Sequence, residues 1–210
     1  MDYLTLRASA KTSSADILYS VDFCLTPLTG ASACVDKKKF DELCLTGCSN
    51  FRRKWSCPPY APAFTDFVAN WEKLFIIHMY TDMLQFSYIK NDYLKVKAAN
   101  VILKSRADKF LRQMANKYGN YVSTGSCRLC KPCKCKIELP CARPELMTYS
   151  FEAMGVDVGK LVKEQFEKPL LWYKRHCVPQ YTSVVCGLLT NAEFSVEAFK
   201  EEYSQHTPGL

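Results

Sequence analysis

The chain has 210 residues, of which 48% are hydrophobic and 23% charged, enough for one packed core and too ordered a composition for a disordered chain. Its 12 cysteines fall below the roughly 8–10% at which a short secreted chain becomes a disulfide scaffold, so no disulfide frame is expected. The net charge of +7 is dispersed among 21 acidic residues, which argues against a nucleic-acid partner and makes Lys37-Lys38-Lys39 and residues 95–117 solvated faces.

Residues 1–35 alternate weakly, through Tyr3, Leu4, Leu6 and then Ile17, Leu18, Tyr19, Val21 and Phe23, and predict one or two strands around a polar turn at 9–14. A short helix is expected over 38–43, then a loop rich in Gly, Ser, Asn and Pro over 47–62, then a helix over 64–73. Residues 74–80 are apolar on both faces and predict a buried strand. From Asp92 the period becomes 3.6: Leu103, Ala107, Phe110, Met114 and Tyr118 form one stripe, ended by Gly119-Asn120. A short strand over 121–124, a helix over 158–166, a buried strand over 182–190 and a terminal helix over 195–203 complete the pattern. The expected class is α/β, with mixed α+β as the alternative: one sheet of about 3–5 strands, helices packed on it, and two cysteine-rich loops leaving strand ends. The expected organisation is an N-terminal extension over 1–35 and a single metal- or iron–sulfur-binding domain over 36–210.

The start of the sequence, Met1 to Thr5, has no basic segment followed by an apolar one, so no signal peptide is expected. Residues 74–80 fall far short of the roughly 20 needed to span a bilayer, and no membrane partner is expected. A cytoplasmic protein would keep its cysteines reduced, and reduced cysteines in number serve a metal.

Those cysteines are grouped. Cys127, Cys130 and Cys133 follow at x2 intervals, with Cys141 beside prolines further on. One turn can so present three thiolates to three corners of an iron–sulfur cube, and a fourth closes a [4Fe–4S] cluster. Zinc is the alternative, although its usual frame is two separated C-x2-C knuckles. Cys135, between two lysines, is a spare thiol, another ligand, or a neighbour that tunes the site. The earlier group, Cys44, Cys48 and Cys57, has only three members, and Cys57 precedes Pro58-Pro59. A second cluster there would keep one iron open to a small ligand. Arg52, Arg53, Lys54 and Trp55 lie between these ligands and suit an anionic or sulfide-type ligand, or offset the charge of the cluster. Arg52, Arg53 and Cys135 are the candidate catalytic residues. Cys24 or Cys34 is a candidate fourth ligand for the earlier group; Cys186 and His78 are expected in the core, and His176 and His206 have no partner spacing. No phosphate loop, HExxH or GxSxG motif is present.

The combination of Cys44-x3-Cys48-x8-Cys57-Pro58-Pro59, Gly125-Ser126-Cys127-x2-Cys130-x2-Cys133, Pro140-Cys141-Ala142-Arg143-Pro144-Glu145 and Glu152-Ala153-Met154-Gly155-Val156-Asp157-Val158 resembles a prokaryotic family of predicted metal-binding proteins of unknown function, found often in anaerobes and archaea. The resemblance covers about residues 40 to 190. It implies metal or iron–sulfur binding by Cys44, Cys48, Cys57, Cys127, Cys130, Cys133 and Cys141, and it brings no reaction with it. Cys135 and residues 1–35 depart from the family's pattern. Two functions are then expected as alternatives, with a zinc-binding structural protein as a third. One is an enzyme of sulfur transfer, desulfurisation or redox chemistry acting at an open iron. The other is an electron or cluster carrier that docks to an acidic redox partner through Lys131, Lys134, Lys136 and Arg143. A homodimer is left open.

Overall fold

The computed structural model describes residues 3–175 and 177–206, so His176 lies outside the described residues. Five strands form one antiparallel sheet in the order β1-β2-β3-β5-β4: β1 (Leu4–Lys11), β2 (Asp16–Pro27), β3 (Lys73–Asp82), β4 (Gly119–Val122) and β5 (Tyr181–Thr190). Among the described residues six α-helices accompany them: α1 (Leu28–Ser32), α2 (Lys37–Gly47), α3 (Phe64–Phe67), α4 (Asp92–Tyr118), α5 (Val158–Phe166) and α6 (Val196–His206). The mixed α/β class and the single helix-covered sheet are as expected. Among the described residues no helix is long and apolar enough to cross a membrane.

Because side chains alternate across a strand, β3 feeds two cores. Phe75, Ile77 and Met79 meet Leu103, Phe110 and Met114 of α4 and Phe199 and Tyr203 of α6 on one face. Leu74 and Ile76 meet Phe64 of α3 and Leu161, Val162 and Phe166 of α5 on the other. The N-terminal segment read as an extension supplies β1 and β2, and β2 pairs with β3 over Ser20 to Pro27. The helix expected over 64–73 stops at Phe67. Asn191 captures the chain beyond it, accepting from the Glu72 N–H at 2.9 Å and donating to the Asn70 carbonyl at 3.1 Å, and the backbone turns into β3. The opposite happens at α2, which Asp36 caps by accepting from the Lys39 N–H and which runs on to Gly47, so that the first cysteine-rich loop leaves a helix end instead of a strand end. The second loop leaves β4 as expected.

Gly119 ends α4 at φ 157, and a Cβ there would lie 2.1 Å from the Leu189 carbonyl oxygen. Gly155 matters more for the cysteines. It sits at φ 91 with Lys37 Cα 2.6 Å from where a Cβ would stand, and its carbonyl accepts from the Asp36 N–H at 2.7 Å. This contact seats the start of α2, whose far end carries Cys44 and Cys48. Gly155→Ala should therefore destabilise the fold by at least about 1–3 kcal/mol through the left-handed backbone alone, read as a lower urea midpoint. An unchanged midpoint would mean that α2 does not need this seat.

Candidate metal centre

The two cysteine loops are packed against each other. Lys54 of the first loop donates to the Ser126 hydroxyl at 3.0 Å and to the Cys127 carbonyl at 2.7 Å, and the Trp55 indole N–H donates to the Leu139 carbonyl at 3.0 Å. Ser56, almost fully buried, accepts from the Cys127 N–H at 2.9 Å and lies 4.0 Å from Cys57 Sγ. One serine hydroxyl thus touches a cysteine of each group. Ser56 was invisible in the cysteine spacing, and only its place directly before Cys57 could have drawn attention to it.

In the later group, Cys127, Cys130, Cys133 and Cys141 line one small cavity, closed by Trp55, Ser56 and Leu129. All four are half-buried. The short helical turn over Lys134–Ile137 separates the third of them from the fourth and turns Cys135 away. Cys135 is buried, and its thiol donates to the Arg52 carbonyl at 3.7 Å, so it joins the two loops and is absent from the cavity wall.

The earlier group gathers at the end of α2. Cys48 caps the helix, its N–H donating to the Cys44 carbonyl at 3.1 Å. Cys44 is pushed up in pKa by burial first and then by the nearby charges of Cys48, Asp41 and Glu152. Burial pushes the Cys57 thiol up to about 11, against the Ser56 hydroxyl, which pulls it down, while Cys48 and Cys44 add to the rise. Each thiol of the three therefore lies within electrostatic reach of the others. Arg52 and Arg53 are exposed in the loop that links Cys48 to Cys57, Arg52 in a left-handed turn at φ 55. The four thiols of the later group and the three of this one belong to one surface region joined through Ser56.

The other cysteines sit elsewhere. Cys24 is buried 3.8 Å from Gln165 Oε1 of α5, with its thiol pushed up to about 12 by burial. Cys34 donates to Glu164 Oε2 at 3.3 Å, and burial with that carboxylate pushes it up to about 11. Both face α5, so the structure assigns their side chains to the second core, away from the loop contacts of Cys57. Cys186 is fully buried and Cys177 exposed.

Among the described residues no group of three or more His, Cys, Asp or Glu side chains already converges on a point that would hold a metal ion. The donor chemistry nevertheless fits a thiophilic metal, with four thiols on one wall. The cavity between them is about 20 Å³, room for about one water, so a group of several atoms would need the 127–141 turn to move outward. Metal binding would then be coupled to ordering of that turn.

A family profile described as "Predicted metal-binding protein (DUF2284)" matches residues 30–189. The chain belongs to this family. The matched span of the predicted metal-binding family contains all seven cysteines of the two groups and the Gly155 seat, and it begins beyond β2. No curated protein and no solved structure matches the chain.

Proposed function

We propose that the protein is an iron–sulfur protein of the [4Fe–4S] type, with Cys127, Cys130, Cys133 and Cys141 as the ligands of one closed cluster and Cys44, Cys48 and Cys57 as the ligands of a second. The observation that carries the reading is the shared cavity of the first four thiols, set beside three more through Ser56. A zinc ion draws its sulfurs to about 2.3 Å from a single point, whereas a cube of irons spaces them out. Three thiols at successive x2 intervals, without two separated C-x2-C knuckles, favour the larger group.

When bound, a cluster with three protein thiolates offers one iron as a Lewis acid, and a fully ligated one passes electrons. The chain's own part is to exclude water and set charge. Trp55 and Tyr60, with ring centroids 4.5 Å apart, line a surface hollow together with Pro140 and Cys141. Arg52 and Arg53, exposed in the loop that links Cys48 to Cys57, suit an anionic or sulfur-containing small molecule. Sulfur transfer, desulfurisation or a related redox reaction is the class proposed for it.

A second reading has its own observation. Lys131, Lys134, Lys136 and Arg143 are all exposed around the later cavity, a cationic rim suited to an acidic redox partner, and this favours an electron carrier with both centres closed. Anaerobic purification with iron and sulfide counts, then electron paramagnetic resonance of the reduced protein with and without added sulfide, separates the two. The open-site reading expects one of two signals to change on addition of sulfide. The carrier reading expects neither to change, and protein holding zinc without iron would overturn both.

A further inference from the structure

Away from the cysteine loops, one face of the sheet carries polar side chains inside an otherwise apolar layer. Asp22 of β2 stands opposite His78 of β3, and His78 stands opposite Val185 of β5, two residues from Ser183. Asp22 and His78 are fully buried. His78 Nε2 is 3.0 Å from Ser183 Oγ, and His78 Nδ1 is 3.5 Å from Asp22 Oδ2. The carboxylate is fixed from two other sides, accepting from the Thr5 hydroxyl at 2.7 Å and from Lys168 Nζ at 2.7 Å. The imidazole is held against Tyr80 at 5.0 Å and Phe166 at 5.6 Å between ring centroids.

His78 Nδ1 has no hydrogen-bond partner although it is buried, and Asp22 is the acceptor it faces. A contact of this length is common in a resting relay and shortens when substrate binds. At the other end, Ser183 is half-buried and lines a cavity of about 470 Å³ together with Asn100, Lys104, Arg128, Trp172 and Tyr173. Beside it the edge of β5 is open: β4 pairs only with residues 187–190, so among the described residues no strand neighbours 181–186 on the side away from β3. Alternate backbone N–H groups on that edge are donors available to a developing oxyanion.

We propose that Ser183, His78 and Asp22 form a nucleophile, base and orienting group for acyl transfer from a small ester or thioester. Ser183 Oγ bonds to the acyl carbon while its proton passes to His78 Nε2. His78 returns the proton to the leaving alkoxide or thiolate as the old acyl bond breaks. Water then attacks the acyl-serine, giving its proton to His78, which reprotonates Ser183 as the carboxylic acid departs. Asp22 keeps the Nδ1-protonated tautomer and faces the imidazolium that forms. Trp172 with Tyr173 supplies an apolar wall for the acyl or leaving group, and the polar lining is mixed in charge, with Lys104, Glu152 and an Arg128 that Asp108 holds at 3.2 Å.

The charged groups facing His78 are Asp22 and Lys168, with the Tyr80 hydroxyl beside them on Lys168. Burial, with Lys168, holds His78 below the usual histidine value against the pull of Asp22, so the ring is neutral near pH 7 and able to accept a proton.

The test uses the full chain with its cysteines intact and does not depend on which metal they hold. A fluorophosphonate probe should modify Ser183, located by peptide mass spectrometry, and Ser183→Ala should carry no adduct at that peptide. His78→Gln should slow the labelling about 100-fold or more with the circular dichroism of the wild type retained. If that variant does not fold, the wild-type labelling rate should still rise with pH to a plateau below about pH 7. No adduct on Ser183 in the folded wild type, or a rate insensitive to both His78→Gln and pH, would overturn the proposal.

Discussion

Cys130→Ser is expected to strip the later centre of its metal, lowering bound metal there more than about tenfold, whereas Cys135→Ser leaves the content nearly intact. The two cysteines are five residues apart in chain and chemically alike, so the contrast rests on where the fold sends them. Cys130 is half-buried on the cavity wall with Cys127, Cys133 and Cys141. A serine oxygen there is a hard, weakly acidic donor in a set that otherwise offers soft thiolates, and the remaining three cannot close the site. Cys135 points the other way, with its thiol on the Arg52 carbonyl at 3.7 Å, a bond that a serine hydroxyl can replace. Iron, zinc and sulfide per chain, measured on both variants and the wild type, give the result directly. Equal loss in the two would mean that the ligand assignment is wrong, and loss only in Cys135→Ser would mean that the turn over Lys134–Ile137 reverses on loading.

That contrast also marks what local sequence can reveal. β3 and α4 were legible because a run apolar on both faces and a 3.6-residue stripe are properties of neighbouring residues. The grouping of the cysteines was legible for the same reason, since spacing decides what one turn can reach. Long-range pairing was not. Residues 4–27 alternate only weakly, yet they make two of the five strands, because β2 is buried on both faces and Asp22, a charge in mid-strand, is neutralised by Lys168 from 146 residues away. The end of α3 depends on Asn191 and the seat of α2 on Gly155, both remote partners. Cys24 and Cys34 were candidates as ligands by type alone, and the packing of α5 claimed them for the core. At the centre itself, Lys54 and Ser56 carry no metal signature, and their part in joining the loops follows from contacts across 71 to 73 residues of sequence.

The buried cluster around Asp22 should be the most sensitive point of the fold. Asp22→Ala leaves Lys168 Nζ with the Tyr80 hydroxyl at 2.9 Å and the Tyr80 and Tyr3 rings, leaves Thr5 without its acceptor, and removes the carboxylate that His78 faces at 3.5 Å. Removing one partner of a buried pair costs about 3–5 kcal/mol, and Lys168 is partly exposed, so part of its charge can be rehydrated and the lower end of that range applies. Adding Lys168→Met removes the stranded cation and should recover part of the loss, which a double-mutant cycle in urea measures. The same groups set an acid limit. Burial raises the Asp22 carboxyl, but His78, Lys168 and Thr5 together outweigh it and hold the folded value below the usual one. The unfolded chain therefore takes up that proton first as the pH falls through about 4, and the folded state loses stability. His78 is also held low in the folded state, so its share of the stability declines earlier, as the pH falls below about 6.5. The urea midpoint of the wild type should thus fall in two stages on acidification. Asp22→Asn should weaken the lower stage, and His78→Gln the upper one; a wild-type midpoint flat from about pH 7 to pH 4 would mean that His78 does not differ in proton affinity between the folded and unfolded chain, and one flat on to about pH 2 that Asp22 does not either.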